Sequence, residues 1–122
     1  MAIKTAGKTL SQLAEELGTF SPYSKVKWYR TAETAALVRA ALKEKFAGVK
    51  FSITSSVYSG GSSIRVRWTG GPSEQEVREI TWGFTAGTFN GMIDLYEYKQ
   101  NELFGQPVSF SASFIFCERE AA

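Results

Sequence analysis

Histidine does not occur anywhere in the 122 residues, and cysteine occurs once, as Cys117. The first absence removes the side chain that most often serves as a general base or a metal ligand near neutral pH. Together the two leave no Ser–His–Asp or Cys–His nucleophile system and too few ligands for a structural zinc site. One cysteine forms no internal disulfide, which fits a reducing cytosol. No apolar run approaches twenty residues, so no segment has the make-up of a membrane span. The opening residues, MAIKTAGKTL, lack the apolar stretch of a signal peptide. These absences predict a cytoplasmic protein that is not an enzyme, with no catalytic residues, no cofactor, no metal and no membrane partner.

What is present suits one folded domain. Hydrophobic residues make up 43% of the chain and aromatics 14%, enough to form a core and to exclude wholesale disorder. The net charge is only +2, but it is unevenly spread. Residues 1–50 hold nine Lys/Arg against four Asp/Glu, and residues 73–122 hold three against eight. Either the surface is dipolar or folding interleaves the two halves.

The periodicities divide the chain into elements. Thr9 and Gln12 have capping-box spacing, Leu10, Leu13 and Leu17 share a helical face, and Gly18 suits the stop, so a short helix is predicted over 9–17. Residues 19–27 read as loop. Ala35, Val38, Ala41, Leu42 and Phe46 form the stripe of a second helix over 32–46, capped by Thr31 and ended by Gly48. Strict alternation predicts strands at 49–54 and 63–68, with Val49, Phe51, Ile53, Ile64, Val66 and Trp68 facing in. Gly60-Gly61 marks the hairpin between them. Ser73 and Glu76 cap a third helix over 73–83. Residues 85–107 are irregular in pattern but rich in large apolar side chains, so they are expected to pack on the core around a short strand or helical turn. A last strand is predicted over 108–116. Phe110, Phe114 and Phe116 join the inner face, and Ser109, Ser111 and Ser113 the outer, with Cys117 on the outer parity.

The expected fold is α+β, a three-stranded antiparallel sheet with two to three helices packed on one face. The domain is single, with a helix and loop over 1–31 and an α-β-β-α-β core over 32–122. The predicted outer face gathers Lys50, Ser52, Thr54, Arg65, Arg67 and the three serines. It is positive and rich in hydroxyls, which is first of all the pattern of an ordinary solvated sheet, with a docking face for phosphate or for an acidic protein as the functional alternative. No aromatic falls on it, which argues against base stacking. Tyr58 stands at the hairpin tip, where one aromatic can anchor a protein contact. Lys25, Lys27, Trp28, Tyr29 and Arg30 form an aromatic–basic cluster of the type that binds single strands, although Trp28 and Tyr29 equally suit a core. Asp94 and Glu97 are too few oxygen ligands for a cation site. The Ser/Gly loop is no phosphate cradle, because it leads into a strand and not a helix.

The run FAGVKFSITSSVYSGGSSIRVRWTGGPSEQEV, with the later FNGMIDLYEY, resembles the large polyvalent protein-associated domain family 29 over about residues 32–100. Gly70 departs from the family's W-T-D-G-P pattern. Such domains occur in proteins of phages and conjugative elements, often beside anti-restriction or other anti-defence modules. The resemblance carries no catalytic residue. It implies a mobile-element context, and with it a small inhibitor of anti-CRISPR type. Such a protein would bind a host defence complex, a CRISPR effector or a restriction component, through Tyr58, Arg65, Arg67, Lys25 and Lys27. The alternative is a nucleic-acid-binding accessory protein.

Overall fold

The computed structural model describes residues 8–20, 25–59, 61–90, 95–98 and 101–120. In chain order the elements are α1 (Leu10–Glu16), β1 (Thr19–Phe20), β2 (Lys27–Tyr29), α2 (Thr31–Lys45), β3 (Ser52–Tyr58) and β4 (Gly61–Thr69). There follow α3 (Glu74–Thr81), extended by a 3-10 turn at Trp82–Phe84, then β5 (Gly87–Asn90), β6 (Leu95–Tyr98), β7 (Asn101–Leu103), β8 (Gln106–Phe110) and β9 (Phe114–Glu120).

The helix starts follow local chemistry. Thr9 accepts from the Gln12 N–H at 3.2 Å while the Gln12 side chain accepts from the Thr9 N–H at 2.9 Å, a reciprocal capping box. Ser73 accepts from the Glu76 N–H at 3.2 Å and opens α3. α2 begins one residue earlier than the Thr31 cap implies. Its N-cap is Arg30, whose N–H donates to Glu33 at 3.0 Å. Gly18 follows α1 at φ +84°, and a Cβ there would lie 2.8 Å from the Tyr29 ring, so the position requires glycine for both backbone and space.

The fold is α+β, as expected, but the sheet prediction is corrected. There are two mixed sheets, ordered β1-β2-β8-β7 and β3-β4-β9, and a separate β5-β6 pair. β3 and β4 are antiparallel, whereas β4 and β9 run parallel, as do β2 and β8. The expected strand over 108–116 is really two strands in different sheets. The chain changes sheet at residues 111–113, and polar groups hold it there. The Ser111 N–H donates to the Tyr29 carbonyl at 3.0 Å, Ser62 Oγ donates to the Ser111 carbonyl at 2.9 Å, and the Ser113 N–H donates to the Ser62 carbonyl at 3.0 Å. The change of sheet inverts the parity. Phe110 and Ala112 are buried before it, and Cys117 after it, whereas Phe114 and Phe116 are exposed. Residues 85–107, read as largely irregular, form β5, β6, β7 and the start of β8. The Gly60 and Asp94 readings and the Asn90-Gly91 turn fall wholly or partly outside the described residues.

α2 and α3 pack on one face of the three-stranded sheet, and α1 packs on α2. Leu37, Val38, Leu42, Ile64, Val66 and Val77 are fully buried between them. At about 1.5–3 kcal/mol for each fully buried aliphatic side chain, this face carries the stability of the sheet. Around the other sheet, Phe110 packs against Tyr29 at 5.5 Å and Phe84 at 5.4 Å between ring centroids.

Candidate binding surface

The alternation along β4 buries Ile64, Val66 and Trp68 and turns Arg65 and Arg67 outward, as the sequence predicts. Their neighbours differ from the prediction. The parallel register sets Ser63 beside Phe114, Arg65 beside Phe116 and Arg67 beside Glu118, while β3 contributes Ser52 and Thr54 on the other flank. Ser109, Ser111 and Ser113 are not part of this face, because the change of sheet places Ser109 on β8 and uses Ser111 and Ser113 at the crossing.

The outer face therefore has an aromatic patch along its β9 edge. Phe114 and Phe116 are 36% and 47% exposed, and their rings stack at 6.0 Å and 19° between planes. Charged side chains lie beside and beyond Phe116 along the strands. Arg65 Nε lies 3.4 Å from Glu118, Arg67 Nε 3.8 Å from the same carboxylate, and Arg67 Nη2 2.5 Å from Glu120. Exposed pairs of this kind add about 0–1 kcal/mol each, so they orient side chains more than they stabilise the fold. With Lys50, three cations stand against two anions, so the positive charge expected of this face is largely offset by Glu118 and Glu120. Beyond Arg67 the surface dips into an open concavity of about 470 Å³ lined by Lys50, Ser52, Thr69 and Glu120.

Tyr58 ends β3 half-exposed, opposite Gly61. Lys25 is exposed just before β2, in the other sheet, where its carbonyl accepts from Gln106 Nε2 at 2.6 Å. Lys27 is buried. Its ammonium group donates to the Ala14 carbonyl at 2.5 Å and the Glu15 carbonyl at 3.0 Å, and lies 5.4 Å from the Tyr29 ring centroid. It thus neutralises the carbonyl end of α1 and is not available to a partner. The cluster splits, with Tyr29 in the core and Trp28 48% exposed. Burial, and then the Glu33 carboxylate, push the Tyr29 phenol up, and its hydroxyl donates to the Ala14 carbonyl at 2.6 Å.

Sequence reasoning missed Phe114 and Phe116 because their alternation with Ile115 and Cys117 has the same period on either face. Cys117, placed on the outer parity, is buried against Thr81 Oγ1 at 3.5 Å. Burial pushes its thiol up despite that contact, the opposite of an activated nucleophile. Among the described residues no cluster of three acidic or thiol groups could hold a metal ion, and no helix is long and apolar enough to cross a membrane.

The fold and this face define a small α+β chain whose three-stranded sheet packs helices on one side and exposes Arg65, Arg67 and Phe116 on the other. The family model for large polyvalent protein associated domain 29 matches residues 29–122, and the chain belongs to that family, a phage- and mobile-element-associated class. The match extends past the 32–100 region of resemblance and takes in β9 with its two phenylalanines. Neither a curated protein nor a solved structure matches the chain.

Proposed function

We propose that this chain is a non-catalytic binding protein of a phage or mobile element that docks on a host defence complex, a CRISPR effector or restriction component, in the bacterial cytoplasm and blocks it. The carrying observation is the exposed Phe114–Phe116 pair bordered on one side by Arg65, Arg67, Glu118 and Glu120. Exposed aromatic side chains next to charged ones are common anchors of protein interfaces. The family's mobile-element context supports the choice of a defence partner. Affinity capture from a bacterial host carrying several defence systems, followed by mass spectrometry, tests this. A defence component should be recovered with the native chain and lost with the Phe114→Ser/Phe116→Ser variant. Recovery of no component across a broad panel counts against the reading.

One observation favours a second reading. An exposed Phe116 ring on a sheet beside the Arg65 guanidinium suits the stacking of single-stranded bases. Titration of the chain with labelled single-stranded DNA and RNA at low salt tests this directly, and the absence of any binding there removes it.

A further inference from the structure

We propose that the edge of β3 pairs with the same strand of a second copy of this chain. β3 and β9 are the two edges of the three-stranded sheet, and they are finished differently. On β9 the Arg119 N–H is met by the Glu74 carboxylate at 3.4 Å, the Arg119 guanidinium reaches the Gly70 carbonyl at 3.3 Å, and α3 packs alongside. On β3 the Arg39 side chain reaches the Ile53 carbonyl at 3.3 Å. Past that point residues 54–58 are all exposed, and among the described residues β3 pairs with β4 alone.

The strand reads SITSSVY, with no charge, no proline and no glycine. Apart from the Arg39 contact at Ile53, it therefore lacks the charge, proline or bulge by which edge strands are kept from pairing. It also carries Val57, at 79% the most exposed large apolar side chain among the described residues. Run antiparallel about Ser55, the strand is complementary to itself. Ser52 faces Tyr58, Ile53 faces Val57 and Thr54 faces Ser56 of the second copy, so all seven residues pair. Val57 gains an apolar neighbour on the core side, and no charge meets a like charge.

Facing residues of an antiparallel pair point to the same side of the sheet. The result is one six-stranded sheet with both Phe114–Phe116 faces on the same side. Two docking faces on one body raise avidity without any new contact. The pairing itself rests on the edge alone and stands whatever partner the face takes.

Sedimentation velocity of the full chain over a concentration series should show a reversible monomer–dimer equilibrium. Val57→Lys should shift it to monomer with an unchanged circular dichroism spectrum. Ser55→Cys gives an independent reading. On the two-fold axis the residue faces its own copy at a Cα distance of about 4.5–5.5 Å, inside the span of about 4.4–6.8 Å that a disulfide accepts. Mild oxidation should therefore link Ser55→Cys into a dimer and leave Ser63→Cys, on the inner strand, unlinked. A chain monomeric at every concentration, a dimer that survives Val57→Lys, or no link through Ser55→Cys overturns the proposal.

Discussion

Arg65 and Phe116 are facing partners on parallel strands, both with exposed side chains on the side of the sheet opposite α2 and α3. The guanidinium leans toward Glu118 at 3.4 Å, so the phenyl ring remains open to solvent. Contact energy and charge thus reside on different side chains and can be removed separately.

Removing the rings should cost binding and little stability. Phe114→Ser/Phe116→Ser is expected to lower the unfolding free energy by about 1 kcal/mol or less, because the rings are not in the core. Partner affinity should fall at least about tenfold, as truncation of an interface anchor commonly does. Urea unfolding and calorimetric titration against the captured partner measure the two effects.

Removing the guanidinium groups distinguishes the two classes of partner. If single-stranded nucleic acid binds, Arg65→Ala/Arg67→Ala should reduce the slope of log affinity against log salt by about 1.4, from two lost phosphate contacts. If the partner is a protein, the change should appear mainly as a slower association rate. Fluorescence anisotropy across a salt series and stopped-flow kinetics decide between them.

Lys25 and Lys27 should behave as opposites. Lys27 holds two carbonyls at the end of α1 from a buried position. Lys27→Met keeps the stem, drops the donors, and should destabilise the fold by about 1–3 kcal/mol. Lys25→Ala, at an exposed site, should fall within about 0.5 kcal/mol of the native chain. Chemical denaturation of both variants checks the contrast.

Much of this was legible because it is local. The Thr9–Gln12 and Ser73–Glu76 caps lie within one helical turn, and β4 alternates throughout. β3, by contrast, begins three residues later than the predicted 49–54 and runs on to Tyr58, because residues 54–58 pair with β4 without an alternating apolar pattern. What was not legible depends on distant partners. The run from Val108 to Phe116 keeps period two through a change of sheet, so nothing in it marks Ser111 and Ser113 as the crossing. The parallel pairing of β9 with β4 follows from that crossing, and with it the outward turn of Phe114 and Phe116. Burial of Lys27 had one faint signal, since it shares parity with Tyr29, but the α1 carbonyls that satisfy it are more than ten residues away. The family motifs gave the context of the chain and no residue roles.

Glu33 should make stability fall with acid. Burial alone would raise its carboxyl. The Arg30 and Gly18 N–H groups, at 3.0 and 2.8 Å, and the Arg30 guanidinium outweigh that and bring it below the ordinary carboxylate range. A lowered folded value means the contribution is complete above the unfolded value and disappears as pH falls through the folded one. Glu33→Gln should therefore cost about 1.5–3 kcal/mol at neutral pH, the range for hydrogen bonds to a charged group. That gap should close once the native carboxyl is protonated. Melting temperatures of both proteins from neutral to acid pH read it directly.

The β7–β8 turn offers a change in the other direction. Leu103 and Gln106 are facing partners, so the loop has two residues, Phe104 at φ +52° and Gly105 at φ +79°. Both lie in the left-handed region that a type I′ hairpin requires, where Asn-Gly is the favoured pair. Left-handed backbone costs an ordinary L-residue about 1–2 kcal/mol, and Asn offsets part of that. Phe104 is 67% exposed, so its ring regains little by packing. Phe104→Asn should therefore raise stability by about 0.5–1 kcal/mol, read as a higher urea midpoint at unchanged slope. If the stabilised variant keeps its partner affinity, the contact belongs to the Phe114–Phe116 face. If it loses affinity, the strained aromatic at this tip is itself a point of contact.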